Sequence, residues 1–489
     1  MATATKIWAC LFLFLLPLAG CQTAEPRKGF DDVERVVRER ADARVHWNQG
    51  AAPDAQVAQA VAAMLSRELT AESAVQVALL NNPRLQATYE DLGIAQADVV
   101  QAGLLKNPVF DLSVRFPDRS PGKTYLNFSA AEDFIDVFLL PARRKLAAAR
   151  FEAAKLRVTQ EVLDLAAEVK SAFYACQSAD QMAELRRTTA EASAASFDAA
   201  KRLHDAGNLN DLDFTTEGAQ NTRTKIDVTD AEENTLEARE RLSALMGLAN
   251  EPAWKTAGRL AEPPQLEIAP EGLEKLALAN RLDLQAARQD VLAQGRALGM
   301  ASQFRFLPDA AIGPDAERET DGQWRIGPTL TVPLPIFDQG QAGIARGQAM
   351  LRQSEARYAA LAIDVRSQVR SARTRMFHAR AKVELYRAEI LPLAEQQLQQ
   401  SELHYNAMFI GVFRLLQAKR EQIDAGRQYI EALNDYWTAR AQLERAVGGK
   451  LPPAVQSTTT QATTAPAMPS PAPASQPAPE HHHHHGDEP

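Results

Sequence analysis

The body of this 489-residue chain is written twice, and any fold must house both copies. LTAESAVQVALLNNPRLQA, from Leu69, matches IAPEGLEKLALANRLDLQA, from Ile268, at an offset of 199. RLHDAG, from Arg202, meets ELHYNA, from Glu402, at 200, and LMGL, from Leu245, meets AVGG, from Ala446, at 201. Three matches at nearly constant separation mark an internal duplication with a period far longer than that of common solenoids. The two repeats are placed at residues 67–267 and 268–449.

Each half follows the same order. A helix (Ala71 to Leu105; Pro270 to Ser302) gives way to two strand-like runs joined by a polar turn, expected as hairpins within 107–135 and 303–337. Each run has about ten residues, the length of a tilted membrane β-strand. Val109, Leu112, Val114 and Phe116 alternate only in part, so a soluble hairpin would explain each run almost as well. A long helix follows, from Pro141 to Ala206, where some 65 residues would reach roughly 100 Å. Val158, Val162, Leu165, Val169, Ala172 and Cys176 repeat in the 4-3 spacing of coiled-coil packing, which places Cys176 in a core. The helix breaks at AGNLN and resumes from Asp211 to Met246, with Asp211 or Asp213 as its cap. The second half repeats this with Ala342 to Asn406, a break through AMFIG, and Val412 to Val447.

The ends have other grammars. Residues 1–20 read as a secretory signal peptide, with Lys6 ahead of an apolar run too short to span a bilayer. Residues 21–66 are polar and mixed, expected as a linker or peripheral lead-in, with VERVVRERADARV allowing one short amphipathic helix. Residues 450–489 are rich in Pro, Ala, Thr and Ser, expected to be disordered, and end in a histidine run. Cys10 leaves with the signal, so one thiol besides Cys21 remains and no disulfide framework or cysteine metal cluster can form. A formal charge of -8, or -9 once Lys6 is removed, argues against nucleic acid as a partner. There is no phosphate loop, HExxH, GxSxG or CxxC pair, and no catalytic residue or enzyme activity is expected.

Four strands leave open edges that hydrocarbon does not tolerate, because unpaired backbone groups cost several kcal/mol each. Three copies would supply twelve strands and close the sheet. With ALLNNPRLQA and ALANRLDLQA, FLLPARR, VPLPIFDQGQ and the terminal AQLERAVGG in this order, residues 69 to 449 resemble the TolC-type outer-membrane efflux family, in particular its lipoprotein members in heavy-metal systems. The resemblance implies a mixed α/β membrane protein: a homotrimer with a 12-stranded β-barrel, four strands per chain, continued by a long α-helical coiled-coil barrel. It implies a passive channel of a tripartite pump in the outer membrane of a Gram-negative bacterium, contacting outer-membrane lipids. A periplasmic adaptor and a proton-driven inner-membrane pump would be its partners. The cargo is expected to be heavy-metal cations; drug or organic-compound export, and a periplasmic coiled-coil scaffold without a pore, are the alternatives.

Leu18-Ala19-Gly20-Cys21 resembles the bacterial lipobox, which makes Cys21 the site of a covalent lipid anchor, and Gln22 lacks the aspartate that retains such proteins at the inner membrane. No other cofactor is expected. The family's periplasmic opening lies where helix pairs turn. Asp211 and Asp213 are therefore candidates for a carboxylate ring, which helix capping also explains, and Met408, Phe409 and Ile410 for an apolar constriction. Leu203-His204 and Leu403-His404 recur at related places, so His204 and His404 are candidate sites for transient metal ions or pH response. His481, His482, His483, His484 and His485 form a further candidate metal-binding run, or an expression tag.

Overall fold

Helix, strand pair, long helix and return helix succeed one another twice in the computed structural model, which describes residue 25 and residues 27–50, 52–119, 122–249, 254–265, 272–306 and 310–451. Cys21, the expected lipidation site, and the His481–His485 run lie outside these residues. Ahead of the repeats stand α1 (Phe30–Ala41) and α2 (Ala52–Leu65). The first repeat comprises β1 (Glu68–Leu69), α3 (Ala71–Asn81), α4 (Pro83–Ala102), β2 (Val109–Arg115), β3 (Tyr125–Asp133), α5 (Ile135–Asp205) and α6 (Asp211–Met246). After β4 (Lys255–Thr256), the second comprises α7 (Leu273–Asn280), α8 (Leu282–Gln303), β5 (Ala311–Arg318), β6 (Trp324–Thr331), α9 (Gln341–Leu385), a π turn (Tyr386–Ile390), α10 (Leu391–Asn406) and α11 (Val412–Val447).

The single helix expected from Ala71 to Leu105 is two. Pro83 has no N–H and biases its predecessor away from helix, and Asn82, extended at φ -70 and ψ 118, caps α4 by accepting from the Leu85 N–H. The second half breaks at the duplicate position without a proline, at Arg281 (φ -58, ψ 118). Both breakpoint side chains reach the end of the last helix of their own repeat. Asn82 donates to the Leu245 carbonyl at 2.7 Å, and Arg281 to the Ala446 carbonyl at 3.5 Å. Gly247 closes α6 at φ +72 within this contact; a Cβ there would sit 2.6 Å from the Asn81 carbonyl oxygen, so no other residue fits.

Helix α5 has 71 residues, roughly 100 Å at 1.5 Å per residue. It begins six residues before Pro141, which sits in its second turn, not at its start as the sequence suggested. Its 4-3 stripe is buried: Val158, Val162, Val169, Ala172 and Cys176 join Leu242 and Met246 of α6 in a first core. A second core repeats the arrangement with Val365, Val369, Ala372, Met376 and Val383 of α9 against Leu433, Tyr436 and Leu443 of α11. The duplicate of Cys176 is thus Met376. The counterpart of α5 is not continuous. Pro392, in the first turn of α10, would clash with the carbonyl four residues back, and the wider π turn just before it absorbs the conflict together with one extra residue. This insertion moves the duplication offset from 200, where buried Ala183 matches buried Val383, to 201 beyond the turn.

The lead-in is not peripheral. Phe30, Val33, Val37 and Trp47 are buried in the first core, where Phe30 meets Tyr89 edge-on at 5.1 Å. Arg40 donates to the Gly448 carbonyl at 3.1 Å, and Lys450 pairs with Asp42 at 3.0 Å, so this segment also fastens the end of the second repeat. Apolar residues spaced along FDDVERVV make this burial intelligible, since one face of α1 carries all three of its buried side chains.

Candidate functional site

The four long strands form one antiparallel sheet, ordered β2-β3-β5-β6, in which the β3–β5 pair joins the two repeats. The register resolves what single strands left ambiguous. Phe110, Leu112 and Val114 lie beside Ala130, Phe128 and Leu126; Phe128 lies beside Ala316, which lies beside Ile326. Even-numbered positions therefore share one face, largely apolar, on which Phe128 stacks with Trp324 at 6.2 Å. Odd-numbered positions share the other: Asp111 and Ser113, Asn127 and Ser129, Asp315 and Glu317, Arg325 and Thr329. There Asn127 donates to Asp315 at 2.9 Å.

Among the described residues, nothing covers the apolar face. Phe110 is 66% exposed, Ile326 72% and Leu330 62%. An apolar sheet face of this kind, with a polar reverse and two free edges at β2 and β6 among the described residues, is suited to lipid on one side and water on the other once the edges are paired. Gly313 permits the close approach of β5 to β3: an added Cβ would fall 1.6 Å from the Ala130 carbonyl oxygen. Among the described residues no helix is long and apolar enough to cross a membrane.

At the far ends of the long helices are two tips. In the first, Gly207 adopts φ +73, and its N–H and that of Asn208 bond to the carbonyls of His204 and Leu203. Asn210 caps α6 by accepting from the Asp213 N–H at 2.8 Å, the role expected of one of the two aspartates. His204 Nε2 lies 2.8 Å from Asp211 Oδ1, and its ring stacks on Phe214 at 4.5 Å. Asp211 remains 98% exposed despite that bond.

In the second tip Met408 takes the left-handed conformation, φ +62, and its N–H and that of Phe409 bond to the carbonyls of Tyr405 and His404. The hydrogen bonds thus align Tyr405 with His204, and His404 with Leu203. The two histidines, paired by the sequence at offset 200, are not structural equivalents, because the π turn has shifted the register by one. His404 instead meets Phe409 edge-on at 6.0 Å. Met408 and Phe409 are exposed, Ile410 half-buried, and the position matching Asp213 holds an exposed arginine, Arg414. Among the described residues no group of three or more His, Cys, Asp or Glu side chains could hold a metal ion.

A contact that sequence reasoning missed ties the two hairpins above the tips. Glu217 of α6 is buried, accepts from Ser196 of α5 at 3.2 Å and pairs with Arg420 of α11 at 3.1 Å. Buried carboxylates of this sort leave no periodic signal; only the pairing of distant helices reveals it.

A model of the outer membrane efflux protein family matches residues 74–248 and 273–449, one stretch for each repeat. The chain belongs to this family. The outer membrane efflux protein described here is 25% identical over 384 residues to the cobalt-zinc-cadmium resistance protein CzcC of Cupriavidus metallidurans, covering 78% of this chain and 90% of CzcC. Its fold is similar to that of the CmeC outer membrane channel of Campylobacter jejuni (TM-score 0.67, 14% identity, 78% of this chain and 85% of CmeC). It is also similar to the MtrE outer membrane channel of Neisseria gonorrhoeae (TM-score 0.65, 18% identity, 77% and 88%). The two-faced sheet and the long helices are accordingly parts of an efflux channel of the outer membrane.

Proposed function

We propose that three copies of this chain form the exit duct of a tripartite efflux pump that carries heavy-metal cations out of the cell. The observation that carries this reading is the four-stranded sheet, apolar on one face, polar on the other and open at both edges, which becomes a twelve-stranded barrel on threefold closure. The helices then continue the duct away from the membrane, and their tips are where a periplasmic adaptor, itself coupled to an inner-membrane pump, would dock. Metal cargo is supported by the similarity to CzcC, a cobalt-zinc-cadmium resistance protein. The acidic first tip supports it too, since exposed carboxylates at an entrance attract cations. The histidine run at 481–485 has ligand chemistry for the same ions.

Cys21 would hold a lipid anchor beside the barrel; fatty-acid labelling that disappears in Cys21→Ser supports this, and unchanged labelling rejects it. Deleting the chain's gene should raise sensitivity to cobalt, zinc or cadmium, and the purified protein should conduct ions across a planar bilayer. Sensitivity to dyes or detergents in place of metals would transfer the reading to organic cargo. Absence of conductance would leave a scaffold.

A further inference from the structure

Two charges interrupt the apolar face of the sheet. Glu132 lies beside Ile312 at the end where the helices join, and Arg318 lies between Leu126 and Trp324 at the end where the strands turn. The rows between them on that face carry no charge. We propose that Arg318 recognises a phosphate group of the lipid leaflet facing the cell exterior, with Lys123 as a second cation at the same rim. The lipid offered there by an outer membrane is a glycolipid with phosphate on its sugars. The inference rests on the outer-membrane channel reading, which puts the helices in the periplasm and the strand turns outside.

The register sets the height of the site. The two charged rows are six residues apart along β3, from Leu126 to Glu132, which is about 20 Å at 3.3 Å per residue. In a tilted sheet, with both side chains reaching away from the apolar rows, these charges bracket a band close to the roughly 25 Å that a membrane barrel presents to lipid. Trp324, directly opposite Arg318 and 52% exposed, is the kind of aromatic that marks such a boundary. Arg318 therefore stands at the level of the headgroups, where a cation is tolerated, and not at mid-bilayer, where it is costly.

The want of a partner singles Arg318 out. The long strands hold three arginines. Two of them, on the polar face, are engaged: Arg115 lies over the Tyr125 ring at 5.5 Å, and Arg325 pairs with Glu319 at 2.5 Å. Arg318, on the apolar face, is half-buried; among the described residues its Nε meets no hydrogen-bond acceptor and no carboxylate pairs with it. Its sequence neighbours do not serve, because Glu317 belongs to the polar face and Glu319 is held by Arg325. A guanidinium presents planar donors that match the oxygens of a phosphate. Lys123 is exposed and extends over the β5–β6 turn, where a Cβ on Gly322 would collide with its ammonium. Two cations thus stand at the outward end of neighbouring strands, as the charge of a phosphomonoester calls for.

The test uses the full-length chain purified in mild detergent and native mass spectrometry with three probes: diphosphorylated lipid A, the same lipid after phosphatase treatment, and inorganic phosphate. The intact chain should retain lipid A, and phosphatase treatment should lower that retention by about tenfold, as loss of a charge-assisted contact predicts. Arg318→Gln should lower it by a similar factor with trimer and conductance kept, Arg318→Lys should recover most of it, and Glu132→Gln, at the other end of the face, should leave it unchanged. Retention in Arg318→Gln equal to that of the intact chain would make Arg318 a solvated rim residue and overturn the site. Equal retention of the phosphatase-treated lipid would assign binding to the apolar band alone and reject phosphate recognition. Displacement of lipid A by inorganic phosphate would reject the lipid in favour of a free anion. A monomeric particle, or one without conductance, would overturn the channel reading and this site with it.

Discussion

Burial decides the chemistry of the one thiol in the core. Cys176 is fully buried, and burial, reinforced by Asp180 and opposed by Arg239, pushes its pKa up to about 12. Only a minute fraction is thiolate near neutral pH, so iodoacetamide should leave Cys176 unlabelled in the native protein and label it in denaturant, as read by mass spectrometry. The 4-3 spacing announced this residue. It carried no hint of Glu217, because a buried carboxylate is intelligible only with Arg420, 203 residues away, in view. Replacing either partner tests the pair asymmetrically. Arg420→Gln leaves a buried charge without its counterion and should cost about 1–3 kcal/mol, whereas Glu217→Gln removes the charge itself and should cost less. Denaturation midpoints in the reverse order would refute the role assigned to Arg420.

Single elements were legible where periodicity is strong and obscure where a partner sets the conformation. The long helices and both hairpins could be read from the chain, since apolar spacing and turn residues are local properties. The two faces of the sheet could not, because Val109 and Phe110 interrupt the alternation of β2 and only the register with β3 assigns sides. That register depends on Gly313. Gly313→Ala drives a methyl group into the Ala130 carbonyl and should abolish β3–β5 pairing, seen as loss of heat-resistant oligomer on gels. The docking of α1 on α5 carries a pH signature. Lys155, hydrogen-bonded to Asp32 at 2.7 Å, holds that carboxyl below its usual range against the opposing effect of burial. The Lys155 ammonium, though burial disfavours its charge, is raised overall by its bonds to Asp32 and Glu152. Asp32 therefore stabilises the contact above its ordinary value of about 4 and ceases to as pH falls through its lowered one; Lys155 does so below about 10.4 and ceases to as pH rises through its raised one. Hydrogen exchange in α1 should be slowest between those limits and quicken beyond each. The lead-in was misjudged as peripheral because its apolar positions are few; their burial depends on α4 and α5 supplying the other side.

For the whole molecule, duplication and the unmet strand edges carried most of the argument from sequence to channel. What escaped was the difference between the halves. The aspartates at the helix restart belong to one tip only, so Asp211→Asn with Asp213→Asn should lower cation preference in single-channel recordings several-fold, and unchanged reversal potentials would dismiss the carboxylate ring. The extra residue taken up at Tyr386–Ile390 makes that difference lasting. With it the repeats are no longer interchangeable, and a tube of three chains ends in six knuckles of two alternating kinds, one set ionic and the other oily. Any cap fitted over that rim has threefold, not sixfold, symmetry to satisfy, and a hexameric cap must present two sorts of socket.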